Sequence, residues 1–173
     1  MEYLDELIKK QIVSKDLLNQ AKKIAEEKYS GDIESALYEL GIPEDVVRDE
    51  KSELAGIPTK EVITKNVSGD LLNYIPQESA EHYRFVPIGF SEGILEVGVL
   101  DPENMVALDA LQFISTKSGV PYKVFVITKS EFNAIIQNYK GMTPEVDQAL
   151  SQIDSELEEA NKMVIDNKNP QDS

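Results

Sequence analysis

The hydrophobic spacing of this chain changes period once, near residue 75, and that change constrains the fold more than any other feature. Before it, apolar residues recur three and four apart, the repeat of a helix with one buried face. Tyr3, Leu4, Leu7 and Ile8 form the first such face. Ser14 suits the cap of a second helix with Leu17, Leu18, Ala21, Ile24 and Ala25 as its stripe. Asp32 suits the cap of a third, with Ile33, Ala36, Leu37 and Leu40 inward and Gly41 as its stop. Pro43 fits the first turn of a fourth, which carries Val46, Val47 and Leu54 and ends at Gly56. Residues 1–56 therefore read as a helical subdomain of four short helices.

Residues 57–74 are punctuated by Pro58, Ser68, Gly69 and Asp70, with a short edge strand expected at Val62 and Ile63. Beyond them strand signals appear. Pro76 opens a helix to about Tyr83, and Arg84 to Ile88 reads as a strand. Ser91-Glu92-Gly93 is a turn, and Ile94 to Leu100 alternates so that Leu95, Val97 and Val99 share one face, which completes a hairpin. Asp101-Pro102 is expected to start a helix holding Met105, Val106, Leu108, Leu111 and Phe113, broken by Gly119. Tyr122 to Ile127 reads as a third strand, and Thr128-Lys129-Ser130-Glu131 as a capping box that opens a helix with Phe132, Ile135, Ile136 and Tyr139. The class is α+β: the four-helix subdomain, then over 57–141 a small three-stranded sheet covered by helices. Residues 142–173 read as an acidic linker helix, with Val146, Leu150, Ile153, Leu157 and Val164 at heptad-like spacing, followed by a disordered tail.

Charge narrows the partners. The formal net charge is −15, with 32 acidic against 17 basic residues. Binding nucleic acid through its phosphates needs clustered Lys and Arg, so nucleic acid is excluded as a partner. An anionic bilayer would be repelled, and no run reaches the ~18 apolar residues of a membrane span, so direct membrane insertion is not expected. A basic protein surface is the natural complement. The start lacks the basic and apolar regions of a secretory signal, and there is no Cys, which removes disulfides and thiolate metal sites. The chain reads as cytoplasmic.

The residue types that carry chemistry are sparse. None of the nine glycines is followed by Lys, so the Gly-rich loop that cradles nucleotide phosphates is absent, and no G-x-G-x-x-G occurs. His82 is the sole histidine; its four-residue spacing from Glu78 is ordinary helix-surface chemistry. Asp101-Pro102-Glu103 reads as a strand-to-helix junction in which Asp caps and Pro sets the first turn. No catalytic residue, metal ligand or cofactor is assigned.

An ordered set of short segments resembles the N-terminal domain of the type II secretion and type IV pilus assembly ATPases. It comprises Leu-Ala-Gly-Ile-Pro at 54–58, Tyr-Ile-Pro at 74–76, Tyr-Arg-Phe-Val-Pro-Ile at 83–88, the strand ending in Asp101-Pro102, the helix with Ala107-Leu108-Asp109 and the close at Asn138-Tyr139-Lys140-Gly141. The resemblance covers about residues 1–141. It implies a non-catalytic docking and regulatory domain ahead of a hexameric motor, bound to an inner-membrane platform or cytoplasmic adaptor protein. The ATPase domain would lie in a parent protein, the acidic tail would begin the linker to it, and the chain would reach the inner membrane only through partners. The chain would be an excised domain or a stand-alone relative.

One branch of that family binds cyclic di-GMP through two motifs of the form R-L-G-x-x-L-x-x-x-G. By that resemblance the first falls on Glu2-Tyr3-Leu4, Leu7 and Gln11, and the second on Asp32-Ile33-Glu34, Leu37 and Gly41. Both Arg positions hold acids, which would repel a diphosphate ligand. Loss of cyclic di-GMP binding is therefore expected. The alternative is a nucleotide sensor with degenerate motifs, in which Leu7, Leu37, Gly41 and Arg48 would hold the ligand. A cavity containing Arg48 or Arg84 would favour that alternative. For a protein partner, Tyr3, Leu4, Leu7 and Ile8 are the candidate contacts, because a terminal helix is the element most easily shared.

Overall fold

The computed structural model describes residues 2–65 and 67–140. Met1–Ile136 form one compact unit and Gln137–Ser173 a second, of which residues 137–140, in helix, are described. The expected linker helix and tail lie outside the described residues.

The first half holds four helices: α1 (Glu2–Lys9), α2 (Lys15–Lys28), α3 (Ile33–Glu39) and α4 (Glu44–Ala55). Their caps are local. Ser14 Oγ accepts the Leu17 amide at 3.0 Å, and Asp32 Oδ1 accepts that of Glu34 at 3.2 Å. Pro43 stands one place earlier than expected, as the extended residue before α4, where its missing N–H leaves no donor unsatisfied. The helices enclose a core of their own, with Leu7, Ala21, Ala36, Leu37 and Val47 almost wholly inaccessible. Each fully buried Leu contributes about 1.5–3 kcal/mol relative to exposure.

The half is a tandem repeat. At the end of α1, Gln11 takes φ +63°, its amide donates to Ile8 O at 2.9 Å and the Ile12 amide to Leu7 O at 2.9 Å. Thirty residues on, Gly41 takes φ +98°, its amide donates to Tyr38 O and that of Ile42 to Leu37 O, each at 3.0 Å. These are two copies of one Schellman ending, a left-handed residue followed by an apolar one that folds back over the last turn. Only the second copy has glycine at the left-handed position.

The second half contains α5 (Gly69–Leu72), α6 (Gln77–Tyr83), β1 (Phe85–Ser91), β2 (Ile94–Val99), α7 (Met105–Ser118) and β3 (Tyr122–Val126), and a further helix, α8, opens at residue 129. The sheet order is β1-β2-β3, antiparallel between β1 and β2 and parallel between β2 and β3. The hairpin turns on Glu92 and Gly93, both at positive φ, which matches the twist of the strands it joins. A parallel neighbour needs a crossover, and α7 supplies it.

Three further expectations are corrected. No strand forms at Val62 and Ile63. The bridge to the sheet falls earlier, at Thr59 against Val126, because the Val62 amide is taken by the Glu131 carboxylate at 2.8 Å. Asp101-Pro102 does not start α7. Asp101 closes its own turn by accepting the Glu103 amide, and Asn104 is the cap, accepting from Ala107 at 3.2 Å. Arg84 is not in a strand but ends α6 in the left-handed region, at φ +58°.

Candidate functional site

Polar side chains join the two halves of the compact unit, and they gather around the positions where the resemblance places the two motifs. Asp32 opens the second repeat. Besides capping α3 it accepts from Ser35 Oγ at 2.9 Å and pairs with Lys129 at the start of α8. Glu44 at the start of α4 accepts the Ser130 amide at 2.8 Å and its hydroxyl at 2.5 Å. Lys51, nearly buried on α4, reaches across to Leu100 O at 3.0 Å and pairs with Glu34 at 2.5 Å, its ammonium 5.1 Å from the centre of the Tyr3 ring. The Tyr3 hydroxyl donates to Glu34 at 2.7 Å.

These contacts shape the titration. Burial raises the pKa of Asp32, but the hydrogen bonds from Lys129 and Ser35 outweigh it and hold the carboxyl below its ordinary value. Burial, and then the Glu34 charge, push the Tyr3 and Tyr38 hydroxyls far above the usual phenol range, so both remain donors.

Two small clefts flank the Glu34–Lys51 pair. One, of about 210 Å³, is lined by Glu2, Tyr3, Glu34, Lys51, Asp101 and Glu103. The other, of about 290 Å³, is lined by Asp32, Glu34, Lys51, His82, Arg84, Asn104 and Lys129 among others. Both leading acids of the repeats, Glu2 and Asp32, thus stand at cleft walls, and so does Arg84. His82 meets the Tyr83 ring edge-on with centroids 4.6 Å apart.

The residues expected to hold a dinucleotide are not brought together. Leu7 and Leu37 are inaccessible core residues. Gly41 lines a separate cavity of about 710 Å³ with Tyr38, Glu44, Lys129 and Ser130. Arg48 lines neither cleft and pairs with its neighbour Asp49 at 3.0 Å. Of the residues expected to meet a protein partner, Tyr3, Leu4 and Leu7 are buried and Ile8 is partly buried against the same core. Sequence reasoning missed Lys51 and Lys129. Lys129 was visible only as the second residue of a capping box, and nothing local distinguishes Lys51 from the other lysines of the helical half.

A pair of helical repeats clasped by charged side chains to a half that bears a mixed three-stranded sheet defines a small α+β domain with charge-lined clefts at the junction. The MshEN domain matches residues 55–146, and the chain belongs to that family. The family's domain forms the N-terminal part of type II secretion and type IV pilus assembly ATPases. The chain is 26% identical over 156 residues to the type IV pilus assembly ATPase PilB of Myxococcus xanthus (strain DK1622), which takes in 88% of this chain but only 26% of that relative's length. Two solved structures share the fold. The structure of MshE with cyclic di-GMP has a TM-score of 0.57 at 20% identity, covering 79% of this chain and 97% of that one. The N-terminal domain of XpsE has a TM-score of 0.54 at 18% identity, covering 78% and 91%. No helix among the described residues is long and apolar enough to cross a membrane.

Proposed function

We propose that this chain is the docking and regulatory domain of a pilus-assembly or type II secretion ATPase, that it engages an inner-membrane platform or cytoplasmic adaptor protein through protein contacts, and that it does not bind cyclic di-GMP. ATP hydrolysis belongs, on this reading, to a motor domain of the parent protein. The observation that supports it is the pair of acids, Glu2 and Asp32, at the positions onto which the resemblance places the two motif arginines, with Asp32 held by Lys129. At Glu2 a like charge ~4 Å from a phosphate costs about 4 kcal/mol at an effective dielectric of ~20, roughly a thousandfold in affinity, and at Asp32 the Lys129 charge offsets part of that cost. Of the cations lining the clefts, Lys51 and Lys129 are already paired with Glu34 and Asp32, and Arg84 is the exception.

Arg84 favours the alternative, a sensor of altered specificity, because it lines the cleft with His82 and no partner for its guanidinium is recorded among the described residues. Calorimetric titration separates the readings. No heat is expected with cyclic di-GMP at up to ~100 µM ligand. Saturable low-micromolar binding that is lost in Arg84→Ala would overturn the docking reading in favour of sensing. Conversely, purified platform or adaptor proteins of the host's own system are expected to bind the chain in a pull-down, and failure of all of them would remove its positive support.

A further inference from the structure

Three exposed apolar side chains lie on α7. Met105, Val106 and Phe113 are 65%, 68% and 67% exposed. Spaced at i, i+1 and i+8, they share one face of a 14-residue helix about 21 Å long. Phe113 also lines a groove of about 680 Å³ between α6 and α7, with Tyr74, Pro76, Tyr83, Ala110 and Ile114 among its walls. Phe90 extends the apolar surface from β1, stacked on Tyr74 at 5.2 Å and still 46% exposed. Helix formation does not require this face to be apolar, since α7 is already anchored by buried Ala107 and Leu111. Phe113 and the stacked Tyr74 and Phe90 thus border the groove with apolar surface, and an exposed apolar patch beside a groove marks an interaction site.

Charge decides between occupants. Lys117 is the one charged residue among the groove's walls, and the two helices that form it carry three acids, Glu78, Glu81 and Asp109. Glu78 and Glu81 are exposed on α6, and Asp109 stands on α7 between Val106 and Phe113. A second copy at net charge −15 and an anionic bilayer are both repelled by such a rim. An amphipathic helix with an apolar row and Lys or Arg along its flanks is matched on both counts. We infer that the α6–α7 groove is the docking surface and that its occupant is a basic amphipathic helix of a partner protein. The inference rests on the docking reading above and adds to it the surface and the partner's chemistry.

The test titrates the full chain with a fluorescein-labelled 15-residue helical peptide bearing Leu three and four apart and Lys on both flanks. Two comparison peptides have Glu flanks or the same composition in scrambled order. Anisotropy is expected to show the Lys-flanked peptide binding at least tenfold tighter than either. Amide chemical-shift changes are expected to cluster on α6 and α7. Phe113→Asp should weaken binding at least tenfold and Asp109→Lys several-fold, whereas Ile63→Asp, at a residue 85% exposed outside the groove, should leave it unchanged. Phe113 is exposed, so loss of folding is not the expected cause of its effect, and circular dichroism checks that. Equal binding of the scrambled peptide, equal effects of Phe113→Asp and Ile63→Asp, or shifts clustered elsewhere would sink the inference. So would loss of self-association, or of binding to neutral phosphatidylcholine vesicles, as the only consequence of Phe113→Asp. If a platform or adaptor protein binds wild type and Phe113→Asp equally, docking stands and this surface falls. If none binds wild type, docking itself fails.

Discussion

The Asp32–Lys129 pair makes the strongest test of how the two halves are held, because substitution can separate its two jobs. Asp32→Asn can keep the oxygen that caps α3, but it puts an NH2 group where Oδ2 accepts from Ser35 and meets Lys129, so the charge pair is lost while Ser35 can turn to accept. The Asp32 and Lys129 side chains are 32% and 21% exposed, intermediate between a surface pair worth ~0.2–1 kcal/mol and a sheltered charge-assisted hydrogen bond worth ~1.5–3 kcal/mol. The expected loss is about 1–2 kcal/mol. Asp32→Ala also removes the cap, which adds ~1 kcal/mol. Urea unfolding followed by circular dichroism at pH 7 measures both. With a slope of ~1–3 kcal/mol per molar, the midpoint of Asp32→Asn should fall by roughly 0.3–2 M. The folded-state pKa of Asp32 is depressed, so the pair's contribution is fully present above the ordinary carboxylate value and is lost as the pH falls through the folded one. The gap between wild type and Asp32→Asn should therefore be constant from neutral pH down to about pH 5 and close in acid, and 1 M salt should narrow it. A double-mutant cycle with Lys129→Met should return a coupling of about 1–2 kcal/mol. A coupling of zero, or a gap that widens in acid, would refute the argument.

The two Schellman endings predict opposite responses to opposite substitutions. Gln11 holds a left-handed conformation that costs a non-glycine residue ~1–2 kcal/mol, partly offset by the entropy glycine loses on folding, so Gln11→Gly should raise stability by up to about 1 kcal/mol in the same urea assay. Gly41→Gln should lower it by about 1–2 kcal/mol through backbone strain, since space at Gly41 is open. Gly98 is limited by contact instead. A Cβ there would sit 2.7 and 2.8 Å from two Ile127 carbons and 3.0 Å from Ile88, so Gly98→Ala should cost ~1–3 kcal/mol, recovered in part by Ile127→Val.

Much of the secondary structure was legible because its causes are local. Ser14, Asp32 and the Thr128–Glu131 box cap helices within three residues of themselves, and Gly56 and Gly119 end them in the left-handed region as their position implied. The misreadings at Val62 and at Asp101 share one cause. Each amide found a side-chain acceptor that local pattern ranks no higher than its rivals: Glu131, sixty-nine residues away, for Val62, and Asn104 instead of Asp101 for the first turn of α7. The surface face of α7 was hidden for a similar reason. Met105, Val106 and Phe113 fit the helical period as well as Leu111 does, and only the position of the sheet and α6 decides which of them is covered.

The period change with which the chain introduces itself settled by itself that a helical part precedes a sheet-bearing one, because side-chain spacing and backbone periodicity are the same quantity. The sequence also has acids at Glu2 and Asp32, the positions onto which the resemblance places the Arg of the cyclic di-GMP-binding branch. What those acids do was decided only in three dimensions. Lys129 is ninety-seven residues from Asp32, and Lys51 meets Glu34 and Leu100 from a third element. Charges remote in sequence become partners only when folding brings them within a few ångströms and excludes enough water for the attraction to hold.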